Sequence, residues 1–204
     1  MGMTRPRTRI QALNQETILQ AALDVFSTHG FRGATLDQIA RVAGLSKPNL
    51  LYYFASKDAI YARLLTGLLD TWLDPLRAMN PVGDPVAELL GYVRRKLDLA
   101  RDYPRESRLF ANEILQGAPR MRAAITDDLT ELVAEKSVIL TDWMDQGRIA
   151  RLHPVHLIFS IWALTQHYAD FDFQVRAVLQ AEGSDPYPQA QMHLEVLFRK
   201  LLTP

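Results

Sequence analysis

Read for the spacing of its apolar positions, the chain is helical from end to end. Ile18, Ala22, Val25 and Phe26 recur at intervals of three and four, which places them on one face of an α-helix. They predict a helix from an Asn14 cap to about Thr28, stopped at Gly30. Leu36, Ile39, Ala40 and Ala43 make a second, shorter stripe. Ile60, Leu64, Leu68, Trp72 and Leu76 make a long one, running from a Ser56 cap to about Arg77, with a bend or break expected near Pro75. Pro81 to Pro85 reads as a loop. Helical periods follow at 86–101, 104–116, 120–146, 154–181 and 187–202, with an interruption near Asp170–Asp172. No stretch alternates with the period of a strand, and no internal repeat is visible. The pattern predicts an all-α chain of about nine helices: a basic arm at 1–13, a small three-helix head at 14–57, and a larger helical body at 58–204.

Within the head, the segment TLDQIARVAGLSKPNLLYYF can be parsed by local rules. Thr35 and Gln38 form a capping box, each side chain satisfying a free amide of the new helix. Gly44 can take the left-handed conformation that turns the chain past the helix end. Ser46 caps the next helix, and Pro48 falls in its first turn, where a missing N–H matters little. Two short helices joined by a tight turn make a helix-turn-helix, whose second helix fits a DNA major groove. Leu45, Leu50 and Phe54 would face inward, leaving Lys47, Asn49, Tyr52 and Tyr53 to offer donors to base edges or phosphates. A plain helical hairpin with a solvated face carries the same local signs.

Charge adds to the picture. The whole chain is formally neutral, but residues 1–57 hold seven Lys/Arg (Arg5, Arg7, Arg9, Arg32, Arg41, Lys47 and Lys57) against Glu16, Asp24 and Asp37. The remainder holds sixteen basic against twenty acidic residues, so a +4 segment is joined to a −4 one. A basic head on an acidic body suits phosphate neutralisation. Arg5, Arg7 and Arg9 alternate around Pro6 in an arm able to follow a phosphate backbone or enter a minor groove. The longest charge-free apolar run, Val155 to Ala169, is too short and too polar for a bilayer. With no signal-peptide pattern and no Cys, a cytoplasmic location is expected.

Together these parts resemble a known family. AALDVFSTHGFRGATLDQIARVAGLSKPNLLYYFASKDAI is similar to the DNA-binding domain of the TetR regulators. The resemblance implies Thr35, Lys47, Pro48, Asn49, Tyr52, Tyr53 and Lys57 as contacts to a near-palindromic operator, with Lys57 pressed towards the DNA backbone. One departure is Leu51, where the family usually has Tyr, which leaves the tyrosine role to Tyr52 or Tyr53. DTWLDPLRAM, RDYPRESRLFANEILQGAP and LIFSIWALTQHYADF further resemble the pyrimidine-utilisation branch of the family. That likeness implies a repressor released from DNA by uracil or thymine, with no cofactor.

The residues supply a matching chemistry. Uracil has an acceptor–donor–acceptor edge and a flat apolar face, so an amide can pair part of the edge while an indole covers the face. Trp162 and Gln166, four apart, share one helical face. Trp72 lies on the helix leaving the head, and Asn112 and Glu113 interrupt the apolar period of 104–116. These five are the expected ligand residues, although each tryptophan also suits core filling. A ligand wedged against Trp72 would tilt the 56–77 helix and move the head. The last two long helices are apolar over most of their faces and are expected to form a four-helix homodimer interface with a second copy.

Rival readings are an enzyme, a TetR-type repressor with a different effector, and a ligand-independent nucleoid or division factor of the same fold. An enzyme finds no support in a phosphate loop, GxSxG or HExxH, and His153 and His156 lack a third metal ligand.

Overall fold

The turn after the second helix shows how the head is specified. Thr35 Oγ1 accepts from the Gln38 backbone N–H (3.2 Å), and Gln38 Oε1 accepts from the Thr35 N–H (2.8 Å), closing the expected capping box. At the other end Gly44 has φ +67°. The Gly44 N–H bonds to Arg41 O and the Leu45 N–H to Ala40 O, the paired bonds of a Schellman motif. Ser46 Oγ then accepts from the Asn49 N–H at 3.3 Å, and Pro48 stands in the first turn of the following helix.

The computed structural model describes residues 9–180 and 183–204. Among the described residues there is no strand, and ten helices follow one another. They are α1 (Arg9–Gly33), α2 (Leu36–Val42), α3 (Lys47–Tyr53), α4 (Lys57–Arg77), α5 (Pro85–Asp102) and α6 (Pro104–Leu115). A single rod, α7, then runs through Arg122–Ala124, a π-helical turn at Ile125–Leu129, and Thr130–Asp145. The last three are α8 (Pro154–Asp170), α9 (Asp172–Val178) and α10 (Tyr187–Leu202). No described helix is long and apolar enough to cross a membrane. The chain divides into two compact units, Met1–Leu68 and Leu69–Pro204, and the division falls inside α4.

In the first unit, Ile18, Ala22 and Phe26 of α1, Ile39 and Ala40 of α2, Leu50 of α3, and Ile60 and Tyr61 of α4 are buried. Phe26, Phe31 and Tyr61 form an aromatic cluster with centroids 4.8–5.9 Å apart. Two sequence expectations need correction here. Asn14 is not a cap, because α1 is already helical at Arg9 and Asn14 lies inside it. Ile10 and Leu13 are exposed, so this first stretch buries no stripe of its own, and the helix propagates back from the buried stripe that follows. Arg9 to Leu13 are thus helix rather than arm, and Arg5 and Arg7 lie outside the described residues. Gly30 does interrupt α1, with φ 66° and ψ 171°, and a further turn follows it.

In the second unit α5 is central, packing against both α8 and α10. Asp84 caps it by accepting from the Ala87 N–H (2.8 Å), and Pro85 opens its first turn. Leu89, Leu90, Tyr92, Val93, Leu97 and Ala100 of α5 are buried, covering much more than one stripe. Trp143 fixes the preceding loop by donating from Nε1 to Pro81 O at 3.1 Å. Pro75 does not break α4, which ends two residues later at Arg77. The last long period divides at Phe171, between α8 and α9, as its acidic interruption predicts.

Thr35→Ala removes the acceptor of the Gln38 backbone amide, so it should lower unfolding stability by about 1 kcal/mol in urea titration. An unchanged midpoint would show that the box contributes nothing to the head.

Candidate functional site

Two sets of side chains carry candidate chemistry, one in each unit. In the first, α3 presents Lys47, Pro48, Asn49 and Tyr52 on an exposed face, with Leu50 turned fully inward. Tyr52 is 71% exposed. Its hydroxyl accepts from Gln11 Nε2 (3.3 Å), and that of Tyr53 accepts from Asn14 Nδ2 (2.7 Å), so α1 holds both tyrosines at the end of α3. The two rings meet edge to face at 5.1 Å. Each O–H proton stays available to an outside acceptor, because the hydroxyl oxygens are accepting in these bonds. Lys47 pairs with Asp37 at 2.9 Å across the turn, an exposed bridge that a phosphate can outcompete. Thr35 is exposed, with its hydroxyl engaged in the capping box.

Lys57 is placed differently from expectation. Its ammonium donates to Phe31 O (2.7 Å) and Ala34 O (2.8 Å) and lies 4.5 Å over the Phe31 ring. It therefore points into the head and ties the end of α1 to the start of α4.

In the second unit, Trp72, Trp162 and Gln166 converge on one cavity. Its inner chamber, about 60 Å³, is lined by Leu69, Trp72, Leu73, Lys96, Phe110, Leu129, Trp162 and Gln166. An outer chamber of about 570 Å³ shares Phe110, Leu129, Trp162 and Gln166 and adds Asn112, Ile125, Asp170 and others. A small apolar chamber with a few convergent polar groups is the usual form of a small-molecule site. Trp72 stacks on Phe110 at 6.3 Å with planes 8° apart. Trp162 donates from Nε1 to the Tyr92 hydroxyl at 2.6 Å, which fixes its ring and leaves the face for contact. Tyr92 is fully buried, and that burial pushes its phenol up, well above the usual tyrosine range. The π-helical turn supplies Ile125 and Leu129 to the wall, so the irregularity in α7 coincides with the cavity.

Of the five expected ligand residues, Glu113 stands apart. Its carboxylate is buried and accepts from the Arg120 backbone N–H (2.8 Å) and Arg120 Nη1 (3.3 Å). It locks the turn after α6 and does not line either chamber. The polar break in the α6 period is real, but its cause is a neighbouring turn. Asn112, one residue earlier, is exposed and lines the outer chamber.

The sequence reading overlooked Lys96. It sits in the buried stripe of α5, three residues from Val93, and is 2% exposed. Among the described residues its ammonium has no hydrogen-bond or ion-pair partner, and its side chain lines the inner chamber. Burial pulls Lys96 down to about 7, against the opposing pull of the Asp170 charge. Asp170 itself accepts from Ser107 Oγ at 2.6 Å, and burial raises its carboxyl. A lysine occupying an apolar register position was the available signal.

With the folded-state value lowered, the unfolded chain binds more protons between about pH 7 and 10.5, and stability rises with pH across that window. Lys96→Met should therefore stabilise the protein at pH 7 by about 1–4 kcal/mol, the range for replacing buried charge by apolar groups. It should also flatten the rise towards pH 10. Thermal melts of both proteins across this range check it, and a destabilised variant would refute the burial penalty.

Comparison with known proteins agrees with both halves of this description. Residues 18–64 match the family described as bacterial regulatory proteins, tetR family, and residues 65–204 match the C-terminal region of YcdC-like proteins. The chain is 50% identical over 182 residues to the HTH-type transcriptional regulator RutR of Escherichia coli (strain K12), covering 89% of this chain and 86% of that protein. The RutR of Shigella flexneri gives the same values. Among solved structures, the putative transcriptional regulator SCO4942 from Streptomyces coelicolor superposes with a TM-score of 0.71 at 25% identity, covering 93% of this chain and 98% of that one. These relatives are regulators of transcription rather than enzymes. The chain belongs to the TetR family of bacterial regulatory proteins and is a DNA-binding transcriptional regulator.

Proposed function

We propose that this regulator is a repressor that leaves its operator when a small pyrimidine, uracil or thymine, occupies the cavity of the second unit. The observation that carries the reading is the convergence of two indoles and one primary amide on a single, largely apolar chamber. Trp72 and Trp162 offer flat apolar surface, and Gln166 makes no side-chain hydrogen bond among the described residues. Its amide can pair an adjacent N–H and carbonyl of the ring, as the sequence chemistry anticipates. Asn112 would act from the outer chamber. Glu113 is not carried forward as a ligand residue.

For DNA, the proposed contacts are Lys47, Pro48, Asn49, Tyr52 and Tyr53, with Thr35 at the start of α2. Lys57 is given the supporting role its inward bonds describe. A homodimer is supported by the apolar side chains left exposed on α8 and α10, among them Phe159, Leu164, Met192, Val196 and Leu197. Two copies would present two recognition helices to half-sites roughly 34–36 Å apart. Trp72 lies on α4, which continues from the first unit into the second, so ligand contact at Trp72 acts on the helix that carries the head. The ligand weakens DNA binding only by its differential affinity for the two arrangements, and a 10⁴-fold difference corresponds to about 5.5 kcal/mol.

The reading is tested by thermal shift and operator release with the same ligands. Uracil or thymine at a hundredfold excess over its Kd should stabilise the protein by about 2.7 kcal/mol, a shift of several degrees, and should release operator DNA. Gln166→Leu should lose about 1–3 kcal/mol of that ligand affinity. A protein that binds specific DNA but responds to neither base would have a different effector or none.

A further inference from the structure

The sequence chemistry leaves one half of the ring edge unread. A pyrimidine-dione edge presents two carbonyl oxygens flanking an N–H, and a single amide engages only one carbonyl and the N–H. The second carbonyl needs a donor. Lys96 is in the same inner chamber as Gln166, Trp72 and Trp162, and its ammonium is a donor only.

Its surroundings make the assignment specific. The rest of the inner chamber is indole, phenyl and leucine side chain, apart from the Gln166 amide. Asp170, whose charge acts on Lys96, is held by Ser107 and forms no ion pair with it. A buried ammonium without a partner is an expensive group to keep in a core, and a methionine would fill the same stripe more favourably. Such a residue is explained by a partner that enters with the ligand. Groups kept against stability are characteristic of sites.

We propose that Lys96 is a specificity-determining residue of this cavity, donating a charge-assisted hydrogen bond to a ring carbonyl oxygen of the effector. The proposal rests on the pyrimidine reading above. It defines the ligand class as a small planar ring carrying a carbonyl beside its imide N–H, read by Lys96 and Gln166 together. Aromatic rings without such an oxygen can meet the indoles but leave the ammonium unpaired, and are rejected on that account.

Calorimetric titration of the full chain with uracil, 2-thiouracil and 4-thiouracil tests this. Sulfur is a poorer acceptor than oxygen, so replacing the oxygen that meets Lys96 weakens binding to the wild-type protein. One thio isomer should therefore bind more weakly than uracil. In Lys96→Met uracil affinity should fall roughly 10- to 100-fold, as for a hydrogen bond to a charged group, and the difference between that isomer and uracil should disappear. Lys96→Gln, which keeps a donor without the charge, should fall between. A merely structural role would lower all three ligands alike and leave the thio difference intact, which would overturn the proposal. So would Lys96→Met binding uracil within about threefold of wild type. A wild-type protein that binds none of the three would overturn the pyrimidine reading and this inference with it, an outcome visible before any variant is made.

Discussion

A helix whose buried face is wider than one stripe has to be covered by more than one neighbour. In the C-terminal unit that helix is α5, enclosed by α8 and α10, and the rest of the unit follows from enclosing it. Tyr187 of α10 ties the arrangement by donating from its hydroxyl to Ala100 O at 3.0 Å. Trp162 of α8 does the same through Tyr92. Because the first bond is buried and the second partly so, the polar atoms they satisfy would otherwise carry a desolvation penalty, and the helices are held in register as well as in contact. The cavity lies where this enclosure is incomplete, bounded by α4, α6, the π-helical turn and α8.

The role proposed for Lys96 sets packing against recognition. Position 96 continues the stripe of Tyr92, Val93 and Ala100, and a hydrophobic residue there would extend the core without penalty. An ammonium depressed to about 7 by burial lowers stability in exchange for a donor inside an otherwise apolar chamber. The two indoles, by contrast, carry no such penalty, since their apolar area stabilises the unit in any case.

The head shows the opposite economy, with several polar side chains engaged by its own scaffold. Thr35, Gln38 and Ser46 close helix ends, Lys57 takes up two carbonyls, and Gln11 and Asn14 steady the tyrosines of α3. What remains outward on α3 is a short, rigid set held by its own scaffold, as groove recognition requires.

The sequence by itself determined the helices and the turn between α2 and α3, because their signals act within three or four residues. The capping box, the Gly44 Schellman turn, the Ser46 cap and the break at Phe171 all belong to that range. It also placed Trp162 and Gln166 on one face, since residues four apart on a helix must share it. Tertiary structure alone decided the roles of Lys57, Glu113, Asn14 and Lys96. Lys57 meets carbonyls 23 and 26 residues away, and Asn14 meets a tyrosine 39 residues on. Glu113 is taken by a turn seven residues later, beyond the reach of helical periodicity. Lys96 acquires meaning only because Trp72, Trp162 and Gln166 come to the same chamber. A charged side chain can be assigned from local spacing only when its partner is local, and long flexible side chains seldom oblige.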